Sequence, residues 1–332
     1  MENNRAWRFA IDRGGTFTDV IATTPGGQLV VQKLLSEDSA RYPDAASEAV
    51  RRLMEQHGAG PIAELRIGTT VATNALLERK GERLALLTTT GFADVLRIGT
   101  QARPEIFARH ILLPEQLPAT IVEVAERVAV DGTVLVPLDE EAVATQLETL
   151  RAQGVAALAI VLVHGWTHTE HERRIAELAR RAGFAQVSVS HEVAPLIRYV
   201  PRGNTTVVDA YLSPVLARYV RSLRANLPAH GALSFMQSGG GLAQADAFRG
   251  KDAILSGPAG GVVGMAASAA PLGHERLIGF DMGGTSTDVC HYAGRFELSA
   301  EEVVAGVRAE QCAALLTDFF AVRRGGATPA RG

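Results

Sequence analysis

Apolar and polar positions alternate at both ends of the chain, and a helical period with continuous apolar runs fills the middle. Residues 8–11 and 20–24 read as two strands joined by a tight turn, with a third strand over 29–34 beyond Pro25-Gly26-Gly27. Over 44–57 the period becomes helical, with Ala46, Ala49, Val50 and Leu53 on one face and Gly58 as a stop. A short strand over 65–68 follows; Thr69 and Thr70 then cap a helix over 71–79, and 83–88 is a buried strand. Residues 118–137 read as a hairpin that pairs 121–124 with 134–136 across Asp131-Gly132. A helix over 139–153 ends at Gly154, and the unbroken apolar run 155–163 suits a central parallel strand. Thr169 and Glu172 have capping-box spacing ahead of a surface helix over 172–182. Then come a strand over 187–191, a long helix over 207–227 carrying Pro214, a strand over 233–237, a helix over 262–270 and a last strand over 277–280. This order predicts an α/β chain with a doubly wound segment.

The turns near the two ends carry the same text. Asp12-Arg13-Gly14-Gly15-Thr16-Phe17-Thr18-Asp19 returns as Asp281-Met282-Gly283-Gly284-Thr285-Ser286-Thr287-Asp288, changed only at its second and sixth positions. A repeat so widely separated reports two copies of one structural unit. Gly-Gly at a tight turn places two unhindered N–H groups where φ > 0 is free only for glycine. With the Thr hydroxyl they make a concavity for phosphate oxygens. Asp12 and Asp281, just before the glycines, stand where a hydrated Mg²⁺ bridges such oxygens. Two facing turns would clamp the β- and γ-phosphates of one nucleotide; ordinary Asp-Gly hairpins are the alternative, and the repetition argues against them.

Other polar positions add less. The helix start at Thr69-Thr70, with Asn74 one turn on, suits an anion or polar ligand as well as it suits a plain cap. Gly260 and Gly261 sit in a Gly-rich turn before a helix and offer a second nucleotide contact. Arg97 and Arg103 can fork onto a carboxylate, although a structural salt bridge suits each one singly. His164, His168 and His171 are read as belonging to a surface helix and its approach, not to a zinc site. Ser238 has no base near it in the motif and is not a nucleophile.

Composition narrows the partners. The 332 residues suffice for two cores, and 47% hydrophobic with 21% charged residues describes an ordinary globular chain. A net charge of -3 gives no basic footprint, so nucleic acid is not expected as a partner, and no apolar run is long enough to span a membrane. The two cysteines, Cys290 and Cys312, form no disulfide framework and fit a reducing cytoplasm.

The paired Asp-x-Gly-Gly-Thr turns resemble the phosphate loops of the actin-like ATPase superfamily. Together with Gly68-Thr69-Thr70-Val71-Ala72-Thr73-Asn74-Ala75-Leu76 and Ser256-Gly257-Pro258-Ala259-Gly260-Gly261, they are similar to the hydantoinase A/5-oxoprolinase family, over roughly residues 8 to 307. The opening, through residues 33–38 to Arg51-Arg52, most resembles the 5-oxoprolinase branch. The resemblance implies an α/β actin-like (ribonuclease H-like) fold of two lobes, the second incomplete. It divides the chain into an N-terminal domain over 8–205 with the first phosphate loop, the start of a second domain over 206–308 with the second loop, and a divergent, disordered tail over 309–332.

It implies ATP and Mg²⁺ as cofactors, with Asp12 and Asp281 as the catalytic and metal-organising carboxylates. Gly14, Gly15, Thr16, Gly283, Gly284 and Thr285, helped by Gly260 and Gly261, would hold the nucleotide; Thr69, Thr70, Asn74, Arg97 and Arg103 would face the substrate. The implied reaction is ATP-dependent opening of 5-oxo-L-proline to L-glutamate; an ATP-dependent hydantoinase, a ketone carboxylase subunit or an inactive nucleotide-binding fragment are the alternatives. The implied partners are a small cyclic amide, a second B-type subunit or fused domain, and further copies of the chain in the intact enzyme. The family's adenosine-holding glycine loop is not found in this text, so the chain alone is expected to turn over little or nothing.

Overall fold

The computed structural model describes residues 6–101, 107, 109–111, 113, 115–282 and 287–296. Strand β1 (Trp7–Arg13) buries Trp7, Phe9 and Ile11 and turns Arg8, Ala10 and Asp12 outward, as its alternation requires. It pairs antiparallel with β2 (Phe17–Thr23), which pairs with β3 (Leu29–Leu35). Helix α1 (Ala45–His57) lays Ala46, Ala49, Val50 and Leu53 on this meander, capped by Asp44 through a 2.8 Å bond from the Ser47 N–H. Strand β4 (Ile62–Thr69) returns parallel to β1 and leads into α2 (Val71–Leu77).

The second sheet begins with β5 (Leu84–Thr89), followed by the one-turn α3 (Val95–Ile98), β6 (Thr120–Val124) and the small hairpin β7 (Arg127–Val128) and β8 (Val134–Val136). Helix α4 (Glu140–Ala152), β9 (Ala157–Val161), α5 (Glu170–Arg181), β10 (Gln186–Val189) and α6 (Ser190–Val193) complete it. Then come α7 (Tyr199–Asn226), β11 (His230–Met236), β12 (Leu242–Gln244), α8 (Ser256–Ala269), β13 (Arg276–Met282) and β14 (Thr287–Ala293). The first sheet runs β12-β11-β4-β1-β2-β3, with β1, β4 and β11 parallel; the second, β10-β9-β5-β6, is parallel throughout. This is the actin-like α/β arrangement expected from the sequence. β13 and β14 form a separate antiparallel pair.

Both faces of β5 and β9 are covered, so every position of both strands is buried, and β9 reads as an unbroken apolar run. Ala85, Leu87, Leu158 and Ile160 face α4 and α5, while Leu84, Leu86, Ala157, Ala159 and Val161 face α7 and join the core of the first sheet. At the carboxyl ends of this sheet lies a buried polar centre. Fully buried Glu172 accepts hydrogen bonds from the Leu162 N–H (2.9 Å), Ser190 Oγ (2.6 Å) and the N–H of His191 (3.2 Å), and its Oε2 also lies 2.7 Å from His191 Nδ1. Buried Arg202 donates to Ser190 Oγ and to the Leu162 carbonyl, 3.7 Å from Glu172 Oε1.

Four expectations change. Residues 121–124 pair parallel with β5, and the hairpin partner of β8 is β7, closed by Gly132 at φ 90°. The capping box is not made: Thr169 has helical and not extended φ/ψ (-87°, -8°) and makes no side-chain cap, and Glu172 is drawn inward to the polar centre instead of back to the helix start. Helix α7 starts at Tyr199, not at 207: Pro201 is tolerated in a first turn, and Gly203 leaves the space that Leu96 of α3 fills. Helix α8 starts at Ser256, so Gly260 and Gly261 lie within it and not in a turn ahead of it. The tail 309–332 lies outside the described residues, and no described helix is long and apolar enough to cross a membrane.

Candidate functional site

The parallel strands β1, β4 and β11 end on one side of the first sheet, where open α/β sheets place their ligands. Asp12 is the penultimate residue of β1, facing outward beside Gly68 of β4. A Cβ on Gly68 would lie 3.3 Å from Asp12 Oδ1, so the carboxylate rests where no side chain stands beneath it. The β1–β2 turn that follows is laced to the end of β3. Gly14 N–H donates to the Phe17 carbonyl (3.0 Å), Ser36 Oγ donates to the Gly14 carbonyl (2.7 Å) and Ser36 N–H to that of Thr16 (2.9 Å).

This alters the reading of the glycines. Neither Gly14 nor Gly15 is among the described residues with positive φ. Glycine is required at 14 by close approach instead: a Cβ there would sit 3.0 Å from the Phe17 carbonyl. The Gly14 N–H closes the hairpin, which leaves the exposed tip at Gly15 nearest to any phosphate.

The sequence repeat is also a structural one. Asp12 pairs across strands with Asp19, and Asp281 with Asp288 in the same antiparallel register. The Asp12 carboxyl is pushed above its ordinary value of 3.8, first by burial and then by the charges of Asp281 and Asp19, with Lys33 working in the other direction. Asp12 stays exposed at the end of its strand while the surrounding protein disfavours its charge. Asp288 is likewise raised, by burial and then by Asp281. Lys33 takes up Asp19 with bonds of 2.9 and 2.8 Å to its two oxygens.

These mutually repelling carboxylates suit a cation. Among the described residues no three His, Cys, Asp or Glu side chains stand close enough to hold one alone.

The second wall is the β4–α2 junction. Thr70 N–H and Oγ1 donate to the Arg13 carbonyl (3.1 and 3.3 Å), and Asn74 Nδ2 donates to Thr70 Oγ1 (3.4 Å). Thr69 is buried: its hydroxyl accepts from the Val71 N–H and its carbonyl from Ser256 Oγ at 2.9 Å, so it braces the site and does not face a ligand. Thr73 Oγ1 donates to the Ile254 carbonyl, a second tie between α2 and the approach to α8. Gly260 lies against Met236 at the end of β11, within the helical ladder.

Arg97 is exposed on α3, with no described bond to the β1–β2 turn. Arg103, Gly283, Gly284 and Thr285 lie outside the described residues. His168 Nε2 meets the Val130 carbonyl at 3.0 Å and His171 Nδ1 meets Glu126 at 2.8 Å. Sequence reasoning missed Ser36, Gly68 and Ser256 as parts of the site. All three stood inside stretches quoted for the resemblance, Ser36 within 33–38, but nothing local gave any of them a role in the site.

Residues 8–183 match the profile described as the hydantoinase/oxoprolinase N-terminal region, and residues 202–318 match that described as hydantoinase/oxoprolinase. The chain belongs to the hydantoinase/oxoprolinase family. Within this family it is 45% identical over 334 residues to 5-oxoprolinase 1 of Arabidopsis thaliana, an alignment covering 90% of this chain and 26% of that protein. It is 42% identical over 346 residues to the 5-oxoprolinase of Saccharomyces cerevisiae, covering 90% and 27% respectively. The chain thus spans about a quarter of the length of these curated relatives. Among solved structures, the ATP-dependent caprolactamase from Pseudomonas jessenii superposes with a TM-score of 0.71 at 34% identity, covering 86% of this chain and 43% of that one.

Proposed function

We propose that this segment is the nucleotide-binding part of an ATP-dependent cyclic-amide hydrolase that opens 5-oxo-L-proline to L-glutamate. One observation carries the reading: Asp281, in the second copy of the hairpin, is close enough that its charge helps to raise the carboxyl of Asp12 in the first. The names of the relatives supply the substrate class. A lactam is a poor electrophile; phosphorylation of its amide oxygen by ATP, with Mg²⁺ to neutralise the charge, would activate the ring carbon so that water adds there. The C–N bond then breaks with nitrogen leaving as the protonated amine, and a second water releases phosphate from the resulting acyl phosphate.

The protein's part is positioning and charge. Asp12 and Asp281 would hold the hydrated metal; Gly15 and Thr16 of the first turn, with Gly283, Gly284 and Thr285 of the second, would take the phosphates. Thr70 and Asn74 would orient the substrate beside them. The modules 8–205 and 206–308 divide this work, and further polypeptide, fused or as a B-type subunit, supplies the rest.

Titration of the purified chain with a fluorescent ATP analogue and Mg²⁺ tests the reading. Binding should weaken at least tenfold in both Asp12→Asn and Asp281→Asn; equal affinity in all three proteins refutes a shared cleft. Stimulation of ATP hydrolysis by 5-oxoproline, and not by caprolactam or hydantoin, supports the substrate; the reverse reassigns it.

A further inference from the structure

The two hairpins differ in burial: β13 exposes Ile278, Phe280 and Met282, whereas β1 buries Phe9 and Ile11 and turns Arg13 inward. Met282, after Asp281, is 74% exposed, whereas the side chain of Arg13, after Asp12, is only 16% exposed. Strand alternation explains the direction: with Ile11 inward and Asp12 outward, residue 13 turns towards the core. A guanidinium there needs partners, and two elements provide them. Arg13 Nε lies 3.9 Å from Asp44 Oδ1, and its guanidinium carbon stands 5.3 Å from the centroid of the Tyr219 ring on α7. Asp44 is itself fixed, since its other oxygen caps α1 through the Ser47 N–H. The Arg13 carbonyl in turn receives the Thr70 N–H and hydroxyl. One residue thus joins the phosphate turn, α1, α7 and the β4–α2 junction.

We propose that Arg13 is a positioning residue, which fixes the Asp12 carboxylate and the 14–16 turn in register with Thr70, making the first hairpin the rigid reference against which the nucleotide is held. The inference deepens the nucleotide-site reading and rests on it for its functional arm. At 3.9 Å the contact with Asp44 is an ion pair and not a hydrogen bond. Charge and the flat guanidinium face therefore do the holding, so lysine should replace arginine only in part.

Three variants decide it: Arg13→Met, which installs the second hairpin's residue, Arg13→Lys, and Arg13→Met/Asp44→Asn. The last removes the carboxylate charge left unpaired while keeping an N-cap for α1. Hydrogen–deuterium exchange of amides 14–18 and affinity for a fluorescent ATP analogue with Mg²⁺ are measured on folded protein, with Tm alongside. Arg13→Met should exchange at least tenfold faster in the turn, with the amides of β9 unchanged, and should bind about tenfold more weakly; Arg13→Lys should fall between. In the double variant Tm should recover while turn exchange and affinity do not. Affinity recovering together with Tm would reduce Arg13 to a structural ion pair, and unchanged turn exchange in Arg13→Met would overturn the proposal. If the unaltered chain binds no nucleotide, the function reading fails, and the exchange measurement alone decides the positioning role.

Discussion

Glu172→Gln should be the most destabilising single change in the second sheet's polar centre. The carboxylate accepts the Leu162 and His191 N–H groups and Ser190 Oγ, meets His191 Nδ1, and faces the Arg202 guanidinium. Glutamine offers one acceptor oxygen. The serine hydroxyl can rotate and the imidazole can change tautomer, but one of the two backbone N–H groups is left facing an amide NH₂. An orphaned buried donor costs about 1–3 kcal/mol. Arg202, buried and with no hydrogen-bond partner for Nε, also loses its counter-charge. Burial already pulls its pKa below the ordinary value, and Glu172 is the first opposing influence.

Breaking a buried pair from one side costs about 3–5 kcal/mol in all, a large part of a total stability of about 5–15 kcal/mol. At about 2–4 °C per kcal/mol, Tm should fall by about 6–20 °C. Thermal and urea unfolding followed by circular dichroism measure it. Glu172→Gln/Arg202→Met, with neither charge present, should regain at least half of the loss. A fall below about 3 °C, or a double variant no better than the single one, would show that the centre is not an ion-pair node.

Two further outcomes concern the aspartates. Gly68→Ala places a Cβ 3.3 Å from Asp12 Oδ1; stability should change by less than about 1 kcal/mol, while displacement of the carboxylate by tenths of an ångström should weaken Mg²⁺–ATP binding several-fold, and an unchanged titration would refute the placement. Asp12 has a raised folded pKa, so its contribution is favourable below the ordinary value of 3.8 and is lost as pH rises past the folded value. Asp12→Asn should therefore raise the Tm of the ligand-free protein at pH 7, by about 1–2 °C given solvent screening, with no gain below pH 4 and with Mg²⁺-dependent binding lost. A lower Tm at pH 7 would contradict the repulsion.

Much of the frame is legible in the residues because its signals are local. The alternation of 7–13 and the apolar run at 157–161 declare which strand faces one core and which faces two. The octapeptide repeat gives the Asp12–Asp19 and Asp281–Asp288 pairings directly. What stayed hidden depends on contacts made across the fold. The first two turns of α7 are hidden behind Gly203 until Leu96 is seen packed over it. Glu172 has the spacing of a helix cap, and only the distant Leu162, Ser190 and His191 draw it inward. Gly14 looked like a left-handed turn residue, yet its need comes from the Phe17 carbonyl opposite.

Helix α7, 28 residues and so about 42 Å long, contributes to the core beneath the phosphate turn and lies along β9 and β10 of the other sheet. Residue 202, where the second family match begins, falls inside it. Modules in the text are therefore not modules for recombination. A crossover within 199–226 would hand each descendant half of a shared rod and an open core, whereas joints at 194–198 or 227–229 would pass the rod on whole.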